Sequence, residues 1–374
     1  MNRKQFLTGC LTGAVAAGCS AWGYSWLAKP EEHVPRNTVG LQPVKDFNQV
    51  ETEILYLASL APSGHNAQPW VITVNSHNHW MIGSDRSRWL PVVDPENREL
   101  VLSIGAFCEN LAAAANSYGY AAEFNPVGSN GFSTQLVEVC LSKSRENIGS
   151  DQALRGRRTI RKQILANPIR DEDLRYLMGS QSDGMTFHPA QSREGIYLRQ
   201  ATLAANEAQL ASDAAQAELA EWIRWKAEEA KEHGTGLTPE SMEMSGVIRW
   251  LAKNFLTKKD VMENTFRKET LKLVREQVEN CAGWLLVRSA GQGLASLLQA
   301  GRVLEAAWLR AFEKSIAFHP MTQILEEPAL KSALAREFED KNIQFIIRVG
   351  YVRQYPQPVS IRLPLDRMIK SSQP

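Results

Sequence analysis

The chain has 374 residues, enough for one large core or two domains, and its 44% hydrophobic content is that of an ordinary globular protein. Its 42 basic and 41 acidic side chains leave a net charge of +1, and no basic stripe runs through it, so nothing electrostatic points to nucleic acid. The five cysteines (Cys10, Cys19, Cys108, Cys140 and Cys281) lack metal-ligand or redox spacing, which leaves a zinc site, a thioredoxin-like motif and a disulfide framework without support. Cys108 and Cys140 sit in apolar runs and are expected to be buried, inert thiols.

The N-terminus starts with a short basic stretch around Arg3 and Lys4, followed by an apolar, small-residue run to Ala28. Residues 1–28 have the layout of an export signal or an N-terminal anchor. Arg3-Lys4-Gln5-Phe6-Leu7 is similar to a twin-arginine signal with lysine in place of the second arginine. Leu7-Thr8-Gly9-Cys10 and Ala16-Ala17-Gly18-Cys19 each resemble a lipoprotein processing box, and the second is better placed. The expectation is an exported protein, periplasmic or membrane-anchored, with lipid, helix and free forms all open. Residues 29–50, rich in Pro, Glu, Asn and Gln, read as a linker, and nothing after residue 30 reads as a bilayer span.

The folded part runs from 51, in two halves at 51–150 and 151–367 with a tail at 368–374. Glu51 to Leu60 has a helical pattern and ends at the loop Ala-Pro-Ser-Gly-His-Asn-Ala-Gln-Pro-Trp, residues 61–70. In that loop Gly64 permits close backbone approach to a ligand, Ser63 and Asn66 offer short hydrogen-bonding side chains, and Pro69 sets the exit. Trp70–Val74 and Trp80–Gly83 read as a hairpin around Asn75–Asn78. Asp94 followed by Pro95 predicts a capped helix whose apolar face runs through Leu102, Gly105 and Leu111 to a stop at Gly119. Leu136–Leu141 is a strand.

The second half opens on Arg157-Arg158-Thr159-Ile160-Arg161-Lys162. By itself such a run is usually a solvated helix start. Asn206 to His233 reads as one long helix carrying Trp222 and Trp225, followed by Gly-Thr-Gly at 234–236 and a Met-rich segment. Two readings of about 206–255 stay open: a surface helix with one buried stripe, or a lid over a ligand. Ala300–Leu309 is another Gly-containing apolar helix, which aligns Gly301 with Gly105 and Glu305 with Glu109, and Phe345–Tyr351 is a strand in the place of 136–141. That ordering predicts an internal duplication.

Three separated motifs resemble those of the nitroreductase family: Pro62-Ser63-Gly64-His65-Asn66-Ala67-Gln68-Pro69-Trp70, the Arg157–Arg161 run, and Val359-Ser360-Ile361-Arg362-Leu363-Pro364. The likeness covers about residues 50–367 and is greatest for the Acg-like branch, whose single chain imitates the usual dimer. It implies an α+β fold, an antiparallel-rich sheet flanked by helices, present twice as a pseudo-dimeric monomer with FMN at the internal interface. On that resemblance Arg157 and Arg362 grip the FMN phosphate, with Arg158 and Ser360 beside them and a hydroxyl donated by Thr159. Arg161 faces the pyrimidine edge of the ring, and Ser63, Gly64 and Asn66 pack from the other side. Acg-like members often carry Pro-Arg-Arg-Pro near the C-terminus, and this chain has one arginine fewer there. His65, His319 and Tyr351 receive no role, His319 being at most a ring-edge candidate. The implied activity is hydride transfer from a reduced donor such as NAD(P)H to a small-molecule acceptor. The alternatives are a flavin-sequestering or storage protein and a flavin-free scaffold.

Overall fold

In the computed structural model, which describes residues 36, 41–144, 149–179 and 184–370, the strands fall into two antiparallel-rich sheets. The expected signal at 1–28 lies outside the described residues. The first sheet is built from β1 (Trp70–Ser76), β2 (His79–Ser84), β3 (Tyr120–Pro126) and β4 (Gln135–Lys143), in the order β3-β4-β2-β1. The second holds β5 (Met185–Pro189), β6 (Gly283–Arg288), β7 (Ile316–Pro320) and β8 (Ile343–Tyr351), in the order β5-β6-β8-β7. Read from the opposite edge, that second order is the first, strand for strand. Each sheet's second strand leads into a 20-residue helix, Arg98–Ser117 and Leu294–Glu313.

These two helices pack on each other where the halves meet. A Cβ on Gly105 would collide with the carbonyl of Leu298, and one on Gly301 with the carbonyl of Leu102. The reciprocal contact explains both glycines, since only a missing side chain lets the two backbones approach this closely. Glu109 pairs with Arg302 at 3.0 Å across the same seam. Helix 98–117 meets the length and apolarity of a bilayer span, against expectation, but most of it is buried in the core of the first half.

The described part of the expected tail, residues 368–370, packs on the first half. Ile369–Lys370 form β9, which adds to the first sheet parallel to β1 with Ile72 opposite Ile369. The described part of the expected linker is packed too: Phe47 is buried, and Gln49–Ala58 is already helix. Asn48 and Glu51 form a capping box there, and Glu51 also accepts from the Asn78 amide at 2.7 Å, holding the helix to the β1–β2 turn.

Several local readings need correction. The helix expected from Asp94 starts at Arg98, because Asp94–Asn97 close a turn and Asn97 is left-handed at φ 53°. Asp94 still caps it, accepting from the Leu100 amide at 2.9 Å. The long helix expected over 206–233 is three: Arg193–Ala211, Asp213–Trp222 and Ala227–His233. Ser212 breaks the first from the second by accepting from the Ala215 amide, and Ile223 bridges to Leu237 as extended chain. Cys140 is exposed, not buried, because strand alternation puts it on the face of β4 shared with Glu138 and Ser142. Between β5 and β6 the chain makes a helical excursion, residues 190–282, part of which has its own small core around Trp225, Ala252 and Val261.

Candidate functional site: a cationic interface between the halves

The loop at 62–66 leaves helix 49–58 and closes on itself, Ser63 Oγ accepting from the Gln68 amide at 2.9 Å. His65, Asn66 and Gln68 all have positive φ, a strained run that a network of partners holds in place. Asn66 donates to the carbonyls of Gly236 (3.0 Å) and Ile361 (3.1 Å), and Gln68 donates to that of Gly234 (2.9 Å). Gln68 also accepts from the Leu363 amide at 2.9 Å. The loop of the first half is thus clamped between the excursion and the C-terminal arm. His65 is held neutral, burial pulling its pKa down to about 4.

Arg157 and Arg362, expected to act together, do converge: both donate to the Leu60 carbonyl, and Arg362 reaches Asn66 Oδ1 at 3.0 Å. Arg157 is buried against the Trp308 ring at 4.8 Å and pairs with Glu305 at 2.8 Å. A third guanidinium, Arg36, was not singled out from sequence, where it is one basic residue in a polar linker. It is buried, donates to the Arg157 carbonyl at 2.6 Å and receives no partner on Nε among the described residues. Arg362 Nε is likewise unpartnered. Burial, followed by the charge of Arg157, pulls the Arg362 pKa down to about 9; Arg36 is lowered well below its ordinary value by burial and then by Arg362 and Arg157. Glu305 faces this cluster with its pKa pushed up to about 7, burial outweighing the attraction of Arg157.

The other expected contacts lie apart from that cluster. Arg158 turns to Glu243 (3.1 Å) and the Gln357 carbonyl (2.7 Å), and Arg161 donates to the Ser241 carbonyl at 2.7 Å. Glu243 further accepts from the amides of Arg161 and Lys162 at 3.1 and 2.7 Å, so one carboxylate of the excursion ties down the whole Arg-rich run. Thr159 and Ser360 are half-buried. Gly64 packs against Leu90 and Glu99, where a Cβ would lie 3.0 Å from the leucine side chain. His319 is buried and held neutral, chiefly by burial, and Tyr351 donates to Asp173 at the outer edge of the second half. Glu305 entered the sequence reading only as the counterpart of Glu109, and Glu243 not at all, because a helical Glu and a loop Glu carry no signal of their partners.

The guanidiniums of Arg36, Arg157 and Arg362 thus gather near one carboxylate, that of Glu305, at the seam between the two sheet-and-helix halves. No protein-family model matches the chain. The probable NAD(P)H nitroreductase PigM of Serratia sp. (strain ATCC 39006) is 24% identical over 334 residues, covering 84% of this chain and 92% of that protein. The chain is thus similar, end to end, to a protein named as a nitroreductase. The crystal structure of the FMN-dependent nitroreductase NfnB from Mycobacterium smegmatis in complex with NADPH matches with 12% identity and a TM-score of 0.34, covering 60% of this chain and 97% of that one. A superposition that loose carries no weight for the site.

Proposed function

We propose that this protein is an FMN-dependent oxidoreductase of the nitroreductase type, taking hydride from a reduced nicotinamide and passing it to a small-molecule acceptor. The observation that carries the reading is the charge imbalance at the seam: buried Arg36 and Arg157 and half-buried Arg362 gather near a single carboxylate, Glu305, and Nε of Arg36 and of Arg362 has no partner among the described residues. Buried cations without counter-ions are costly, and a phosphate bearing close to two negative charges fits the shortfall. Arg157 and Arg362 would hold that phosphate, with Arg36 as a third donor. Thr159 and Ser360 supply hydroxyls nearby along the chain. Ser63, Gly64 and Asn66 line the flavin from the first half, and Arg158 and Arg161 flank it from the second.

When bound, FMN supplies hydride transfer through N5 of its ring. The chain's own part is orientation and exclusion of water. The clamp of Asn66 and Gln68 on Gly234 and Gly236 fixes the loop, and the Glu243 contacts close the excursion over the Arg-rich run. Asn66 and Arg362 come from different halves and meet at 3.0 Å, which supports the reading of one chain as a duplicated pseudo-dimer. So does the shared strand order of the two sheets. The basic and then apolar start of the chain supports export, as a periplasmic or membrane-anchored protein.

The covering excursion also favours a second reading, a flavin-sequestering protein whose ring no nicotinamide reaches. An absorption spectrum of the purified protein, repeated anaerobically with NADPH and then dithionite, separates the two. Bleaching by NADPH establishes turnover, bleaching by dithionite alone supports sequestration, and a colourless protein that takes up no FMN removes both. Arg157→Ala is expected to weaken FMN binding by about 2 kcal/mol or more, the order of a lost charge-assisted contact. Unchanged occupancy at limiting FMN counts against the phosphate assignment.

A further inference from the structure

Of the large hydrophobic side chains exposed among the described residues, four lie on one helix of the excursion, Gly246–Phe255: Val247, Ile248, Trp250 and Phe255. Val247 and Trp250 are one helical turn apart, Ile248 and Phe255 two turns apart, so each pair shares a side of the helix. Trp250 and Phe255 meet edge to face at 5.6 Å. The helix is held from behind, where Ala252 and Leu256 enter the small core around Trp225 and Val261. A helix that is apolar on both sides has one side to spare, and clustered exposed side chains of this kind mark a contact surface.

The charge around the patch has one sign. Met244–Lys259 holds Arg249, Lys253, Lys258 and Lys259 and no Asp or Glu. Arg249 is buried and Lys253 pairs with Glu240 at 2.9 Å, whereas Lys258, paired with Glu221, and Lys259 are exposed just beyond Phe255.

The start of the chain reaches the same neighbourhood. Arg36 lies eight residues past the end of the apolar run at Ala28, at most about 29 Å of extended chain. Its guanidinium donates to the Arg157 carbonyl at 2.6 Å, the adjacent Arg158 pairs with Glu243 at 3.1 Å, and Glu243 lies three residues before Gly246.

We propose that helix Gly246–Phe255 docks on the surface of an anionic lipid bilayer, its four apolar side chains at headgroup depth and Lys258 and Lys259 against the lipid phosphates. The inference rests on the membrane-anchored reading of the N-terminus. Indole and apolar side chains beside lysines suit that boundary, where the ring is half wet and the ammonium meets phosphate. Four side chains about two-fifths exposed offer roughly 300 Å² of apolar surface, short of the about 800 Å² per partner of a stable protein interface. So small a patch suffices against a membrane, because an anchor keeps the helix at high local concentration beside it.

The test adds the full chain to vesicles of equal parts phosphatidylcholine and phosphatidylglycerol with brominated acyl chains, and Trp250→Phe isolates the emission of Trp250 by difference. That emission is expected to fall at least about twofold in the mixed vesicles and far less in phosphatidylcholine alone. Lys258→Glu with Lys259→Glu is expected to reduce the quenching to the phosphatidylcholine level, and high salt repeats that charge test on the unaltered chain. Flotation of the same samples reports the N-terminal anchor separately. Unquenched Trp250 in protein that floats overturns the docking alone, and unquenched Trp250 in protein that stays in solution overturns the anchored reading with it. Quenching that ignores phosphatidylglycerol, the lysines and salt also overturns the proposal. So does a dimer in sedimentation that Trp250→Ser dissolves, which would make a second copy the occupant.

Discussion

The β1–β2 connection takes two residues, His77 and Asn78, whereas the connection at the same topological place in the second half, from β5 to β6, takes residues 190–282. Strand order is shared, so the sheet does not require the excursion. What the excursion adds is cover. Its Gly234, Gly236, Ser241 and Glu243 grip the first-half loop and the Arg-rich run, and its helix 213–222 forms a wall of a cleft beside the turn after β2. The first half keeps a tight hairpin at that point and contributes a loop, and the second half contributes Arg157, Arg362 and the element that covers the Arg-rich run. Two sheets of the same strand order thus differ most by what is inserted at a single turn.

The comparison breaks most severely at the seam. Gly105→Leu should cost upwards of about 3 kcal/mol, because the side chain meets the Leu298 backbone rather than a flexible side chain. The unfolding midpoint measures it, and an unchanged midpoint would mean that the helices do not pack as described.

Next comes pH. Burial pushes Glu305 up to about 7 and Glu326 up to about 8, both from an ordinary 4.5. The folded state therefore holds protons that the unfolded state has released. Their contribution to stability is full below about pH 4.5 and is lost as pH rises past about 7 or 8. Glu305→Gln should remove its share of that decline, roughly 3 kcal/mol at most between pH 5 and pH 8, as read from unfolding midpoints. A slope identical to that of the unaltered protein would show that Glu305 is not the titrating group.

A smaller effect separates the cover from the scaffold. Glu243→Ala should loosen the excursion locally by about 1–2 kcal/mol, with faster tryptic cleavage near Lys226 and Lys231 and little change in the global midpoint. Equal cleavage rates would show that the cover is held by other contacts. The smallest is the capping box: Asn48→Ala should lower stability by about 1 kcal/mol in the same unfolding assay, and no loss would place the start of the first half outside the cooperative unit.

Much of the architecture was legible in the chain. Helix–strand order, the two aligned glycines and the three motifs are local patterns, set by side-chain period and by turn chemistry. Gly105 and Gly301 could be paired from sequence because their helices repeat a similar apolar pattern, and the structure places them face to face. The break at Ser212 was not legible, since helix propensity in an Ala- and Glu-rich run hides a serine that prefers to cap. Nor was β9, since two residues of strand become strand only when a partner edge is present.

For the site, residue types and their order were written in the sequence: an arginine run, a polar loop, a C-terminal arginine. Their division was decided by tertiary contacts. Arg157 and Arg158 are neighbours in the chain, yet one is paired with Glu305 on the seam helix and the other with Glu243 on the excursion. Adjacent residues in extended chain point to opposite sides, and burial decides which carboxylate each can reach. The sequence by itself determined which charges the protein carries and the local elements that hold them. Only the folded chain, by bringing Leu60, Asn66, Glu305 and Arg362 from remote positions to one seam, decided which of those charges would lack a partner.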